Sequence, residues 1–195
     1  MNKTFLLLLT SMILGGCDPK KNTVADQEKA EEKTATFFPV TSFIKGQIRT
    51  LDSLPITPLL ITTHKGKVDS TWIPAAKLRP YLLPFLAPEI NETNLQDLFQ
   101  ETRFNDQTLN SITFTYDPKT NLPDSINLRH WDVYVNPEKG TVTKVYLLKN
   151  ISVDKQRLTQ QLTWQTDKYA KIATILNKDS GGAELVKEEM IQWSF

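Results

Sequence analysis

The chain has 195 residues, with 23 Lys+Arg against 22 Asp+Glu, a formal net charge of +1, one cysteine and two histidines. This near balance lacks the basic excess that holds a protein on nucleic acid, so no nucleic-acid partner is expected. The single cysteine excludes an internal disulfide framework and any multi-cysteine metal site within one chain, and the two histidines leave little for a histidine-rich one.

In chain order, the first element is a targeting segment. Lys3 supplies a positive start, Phe5 to Leu14 form an apolar run of ten residues, and Gly15-Gly16 supply small residues before Cys17. These are the parts of a secretory signal peptide. A membrane-spanning helix needs about 20 apolar residues, and this run is half that length.

Leu14-Gly15-Gly16-Cys17 resembles the lipobox of bacterial lipoprotein precursors: an aliphatic residue, two small residues and the modified cysteine. The resemblance covers residues 1–17. It implies that the Cys17 thiol takes a diacylglyceryl group, that cleavage falls between Gly16 and Cys17, and that the new amino terminus is acylated, with palmitate in view. The expected product is a lipoprotein anchored to a membrane of the bacterial cell envelope through Cys17. Asp18 does not fix the leaflet, because sorting rules differ among lineages.

Residues 17–36 read as lipid anchor and disordered tether. Val24 is the only large apolar side chain in residues 18–36, and charges of both signs are mixed, so little burial offsets the ordering entropy. Residues 37–195 read as one globular α+β domain. Phe43, Ile44 and Ile48 give residues 40–51 a helical apolar stripe, bounded by Pro55 and Pro58. Residues 59–63 and 68–73 read as strands around a hairpin turn, with Gly66 available for positive φ. Residues 74–88 carry Pro74, Pro80, Pro84 and Pro88 among large apolar side chains, which predicts broken helical turns. Thr93 and Gln96 have capping-box spacing for a short helix reaching about residue 100.

Beyond that point the apolar period drops to two. Ile112, Phe114 and Tyr116 share one parity; so do Trp131, Val133 and Val135, then Leu158, Leu162 and Trp164, then Ile191, Trp193 and Phe195. Proline- and asparagine-containing turns separate these runs. The expected fold is α+β: an antiparallel β-meander of about five to seven strands with mostly N-terminal helical elements packed on it.

No phosphate-loop, dinucleotide, zinc-protease or serine-elbow motif occurs, and no cofactor is expected. The best catalytic constellation is His130-Trp131-Asp132, whose outer members share one face of a strand, so that a carboxylate could orient a basic imidazole. Glu188 and Glu189 are adjacent, and strand geometry sends them to opposite faces. Asp117, Asn121 and Asp124 have oxygen ligands suited to calcium, but Pro118 and Pro123 favour a plain turn. The expected binding surface is the proline-punctuated segment, with Trp72, Tyr81, Leu82 and Phe85 on a stiff backbone. The functional reading is a non-catalytic binding or assembly module whose partner is an unidentified envelope protein or apolar ligand. The alternatives are a carrier of an apolar small molecule or lipid inside a curved sheet and, behind it, an envelope hydrolase using His130 and Asp132.

Overall fold

Residues 36–108 and 110–193 are described by the computed structural model. From Thr36 onward the chain forms one contact unit. The leader (1–16), the lipidation site Cys17 with the cleavage bond after Gly16, and the tether up to residue 35 lie outside the described residues.

Pro39 precedes the first helix, α1 (Val40–Ser53), and its carbonyl accepts the Phe43 N–H at 3.0 Å. Val40, Ile44 and Leu51 recur at helical spacing and are buried, and Thr41 is buried beside them. Thr41 is satisfied within the core: its Oγ1 accepts the Ile90 N–H at 2.8 Å and its own N–H donates to the Ile90 carbonyl at 3.1 Å. The helix thus ends two residues beyond its expected limit and is held to the loop around residue 90.

The strands β1 (Leu59–His64) and β2 (Lys67–Trp72) follow. Lys65 and Gly66, at φ 49° and 78°, form the two-residue left-handed turn that matches strand twist. Residues 74–88 are broken as the prolines require, into a 3₁₀ turn (Ala75–Lys77), the short helix α2 (Arg79–Leu82) and a second 3₁₀ turn (Leu83–Leu86). Seven further strands complete the fold: β3 (Phe99–Asp106), β4 (Ser111–Pro118), β5 (Leu128–Asn136), β6 (Thr141–Val153), β7 (Gln156–Gln165), β8 (Tyr169–Asn177) and β9 (Ala183–Gln192).

All nine strands belong to one antiparallel sheet in the order β2-β1-β9-β8-β7-β6-β5-β4-β3. The antiparallel meander with N-terminal helical elements is present, but it has more strands than the expected five to seven and the domain is mainly β. The surplus lies in strands that the period-two runs do not mark, β3, β6 and β8, while the first hairpin joins the sheet through β1 and β9, Leu60 opposite Ile191. Residues 94–98, where capping-box spacing predicts helix, form consecutive turns that lead into β3: the Gln96 N–H donates to the Thr93 carbonyl at 3.2 Å and the Leu98 N–H to the Leu95 carbonyl at 3.1 Å. The cap arrangement sits at Asn91 instead, whose Oδ1 accepts the N–H groups of Thr93 and Asn94 at 3.0 and 2.9 Å.

The helical segments cover one face of the sheet. Phe37, Val40, Ile44, Leu51, Leu78, Leu82, Phe85, Ile90 and Leu95 pack with Tyr116, Trp131, Val145, Leu147, Leu162, Trp164 and Ile191 in a single core cluster. Trp131 stacks on Tyr116 at 4.5 Å between ring centres and meets Phe99 at 4.7 Å and Phe37 at 6.0 Å. Trp164 meets Phe85 and Trp193 at 5.6 and 5.3 Å. Burying each such ring contributes roughly 1.5–3 kcal/mol, and edge-to-face contacts add to it.

Candidate functional site

Alternation decides what the other face carries. On β4, Phe114 and Tyr116 point to the core, so Thr113, Thr115 and Asp117 point away; on β5, Trp131 and Val133 point inward and His130, Asp132 and Tyr134 outward. The register places Thr115 opposite Asp132 and Asp132 opposite Tyr146 of β6. His130 and Asp132 therefore share a face, as their spacing predicts. Asp117 joins them from the neighbouring strand.

The His130 ring lies between two carboxylates. Its Nδ1 is 2.7 Å from Asp117 and its Nε2 is 3.1 Å from Asp132. Asp132 also accepts the Thr115 hydroxyl at 2.6 Å and the Tyr134 hydroxyl at 3.3 Å. Lys144 Nζ sits 3.6 Å from the centre of the Tyr134 ring, a cation–π contact, and Tyr146 stands edge-on to the imidazole at 6.1 Å. The hydrogen bond to Asp132, opposed by burial and reinforced by Asp117, pushes His130 up to about 9. Burial alone would raise Asp132, but the imidazolium and the Thr115 hydroxyl outweigh it and hold the carboxyl below its usual range. Burial and the Asp132 charge push the Tyr134 phenol up to about 12, and burial lowers Lys144.

At neutral pH His130 is thus a cation donating both N–H groups. It has no free lone pair with which to take a proton from a nucleophile, and the adjacent Thr115 hydroxyl is turned toward Asp132 instead. The arrangement fixes charge and orients hydroxyls; it is not a base poised over a nucleophile.

The other sequence candidates separate. Trp72, Tyr81, Leu82 and Phe85 do not form one surface: Leu82 and Phe85 are each 1% exposed within the core, Tyr81 is half-buried, and only Trp72, 67% exposed on β2, is accessible. The reason is that residues 74–88 roof the sheet, with Leu78, Leu82 and Phe85, at helical spacing, turned down onto it. Asp117 is committed to His130, and among the described residues no group of three or more His, Cys, Asp or Glu side chains is arranged to hold a metal ion. Glu188 and Glu189 do diverge, pairing with Lys171 and Lys187 at 3.4 and 2.8 Å. Among the described residues no helix is long and apolar enough to cross a membrane.

Lys149 was not singled out by sequence. It lies on the core side of β6, 3% exposed, and its Nζ donates to the carbonyls of Pro84 and Ala87. Burial pushes it down to about 8. A signal was present: β6 is otherwise apolar at Val145 and Leu147, and Lys149 continues that parity. Comparison with protein-family models, curated proteins and solved structures gives no match for this chain.

Proposed function

We propose that the protein is a lipid-anchored component of the bacterial cell envelope, and that its folded part is a non-catalytic binding or assembly module presenting the helix-free face of its sheet. The anchor reading rests on Leu14-Gly15-Gly16-Cys17 after an apolar run too short to span a bilayer. Two or three acyl chains, at about 0.8 kcal/mol per buried CH₂, hold a protein on a membrane where one chain is marginal.

The observation that carries the module reading is the double engagement of His130. The one histidine with a carboxylate partner on each side serves as a charged strut, which favours recognition over hydrolysis. Around it the same face offers Tyr134, Tyr146, Lys144, Gln161 and Gln165, a mix of aromatic, amide and cationic groups suited to contacting a polar partner. A carrier of an apolar molecule would need the opposite face open, whereas its indole rings meet Phe37, Phe85 and Phe99.

Replacing the thiol tests the anchor. Cys17→Ser, followed by palmitate labelling and fractionation, should give an unlabelled, uncleaved precursor. If the variant is processed and retained at membranes like the wild type, the lipobox reading fails. For the module, Tyr134→Ala with Tyr146→Ala should weaken a partner captured by cross-linking in membranes at least tenfold without lowering thermal stability by more than a few degrees.

A further inference from the structure

The strand β2 ends the sheet, all six of its residues are exposed, and it carries the two most exposed large apolar side chains among the described residues, Val68 and Trp72, at 68% and 67%. An edge strand with this character offers a row of free backbone groups to another strand. The hairpin register says which groups these are. His64 faces Lys67 across the two-residue turn, so Lys67, Asp69 and Thr71 direct their N–H and C=O groups to β1, and Val68, Ser70 and Trp72 direct theirs outward. The Ser70 N–H is indeed outside the ladder: it donates to the Asp69 side chain at 2.9 Å.

We propose that β2 pairs with β2 of a second copy of this chain, antiparallel and centred on Ser70. That register is the one in which the strand is complementary to itself. Ser70 faces Ser70, Val68 of each copy faces Trp72 of the other, and every pair that bonds uses a backbone group already directed outward. Each exposed indole thereby covers an exposed valine, a cross-strand aromatic–β-branched pair of the kind that stabilises sheets. Sliding the centre to Asp69 would set two carboxylates opposite each other, which is repulsive. The Asp69 carboxylate releases the Ser70 N–H on pairing and faces Thr71.

The symmetry also suits two anchored chains. A two-fold axis perpendicular to the sheet keeps both helical layers on the same side. Both copies therefore begin, at Phe37 packed on Tyr116 and Trp131, from that side, as two tethers leading to one membrane require. A single strand pair buries little area beside the about 1,200 Å² of a standard interface, so the contact is weak in dilute solution and gains from confinement in a membrane plane. That gain rests on the proposed lipid anchor; the pairing geometry does not.

The folded domain contains no cysteine, so one introduced thiol reports the contact without interference. Facing residues of a hydrogen-bonded antiparallel pair lie about 5.5 Å apart at Cα, within disulfide range. In membranes from cells making the full chain, Ser70→Cys under mild oxidation should give a covalent dimer severalfold above Asp69→Cys, which tests register, and above Thr102→Cys on the opposite edge strand. Adding Trp72→Lys to Ser70→Cys should reduce the dimer to the level of those controls. Equal yields for Ser70→Cys and Thr102→Cys, or for Ser70→Cys and Asp69→Cys, would overturn the proposal. Wild-type chain is run alongside. A dimer formed through its own Cys17 would show that thiol to be unlipidated and count against the anchor alone. The pairing is then decided by purified chain carrying Cys17→Ser and Ser70→Cys: dimer yield rising with concentration supports it, and none at any concentration overturns it.

Discussion

His130 shows how two carboxylates set the charge of a half-buried imidazole and thereby tie stability to pH. Its folded-state value of about 9 exceeds the unfolded reference of 6.5, so the folded chain holds the proton more tightly. The resulting stabilisation is complete below about 6.5 and is lost as pH rises through about 9. Because Asp117 is about half exposed, solvent screening keeps the contribution modest, about 1–2 kcal/mol. Chemical denaturation of the wild type and His130→Gln at pH 6 and pH 10 should show a stability gap of that size at the lower pH and little at the higher one. Asp132 acts in the other direction: its depressed value stabilises above the usual carboxylate range, and that contribution is lost as pH falls through it. A gap between wild type and His130→Gln that does not change between pH 6 and 10 would show the imidazole to be uncharged. Half of this cluster was legible in the chain, because His130 and Asp132 two apart on a strand must share a face. Asp117 was not, since its arrival depends on the register between β4 and β5, which no local pattern specifies.

At the level of elements, the clearest sequence signals were those with a strict steric cause. The prolines at 74, 80, 84 and 88 force short turns, Gly66 closes a hairpin, and Phe43, Ile44 and Ile48 mark a helix, although of these three only Ile44 is on its fully buried face, with Val40 and Leu51. Spacing alone misplaces the cap at Thr93 and Gln96: the reciprocal pair is Asn91 and Asn94, where Asn94 Oδ1 accepts the Asn91 N–H at 3.1 Å and Asn91 Oδ1 accepts the Asn94 N–H at 2.9 Å, and the chain passes through short turns into β3 without forming a regular helix. The apolar side chains of residues 74–88 suggested an exposed docking site because composition does not say which way a turn faces. Lys149 explains the outcome. Its ammonium reaches through the core layer to carbonyls that short turns leave without helical partners, and so fastens the segment against β6. Lys149→Met keeps the length of the stem but leaves both carbonyls without that donor. It should cost about 2–3 kcal/mol in urea unfolding and raise amide exchange first in residues 74–88. Uniform loss of protection across β4 to β7 would mean instead that the lysine supports the sheet as a whole.

For the whole molecule, the decisive feature is the place of the last strand. β9 lies between β1 and β8, pairing Ile191 with Leu60 on one side and with Ala170 on the other. Ending the chain after Gly182 would leave both neighbours with bare edges and remove Ile191 and Trp193 from the core. Expressed from Thr36, such a chain should be insoluble by sedimentation, whereas the same stretch carried through β9 should stay soluble and unfold cooperatively in thermal melts. The β1–β9 contact joins positions more than a hundred residues apart, the kind of distant pairing that slows folding. A ribosome delivers this polypeptide from the amino end. Until β9 emerges, the first hairpin has no strand to join it to the sheet, and the meander from β3 to β8 has an open flank. The architecture therefore has a built-in delay: the sheet closes only once residues 183–192 are available.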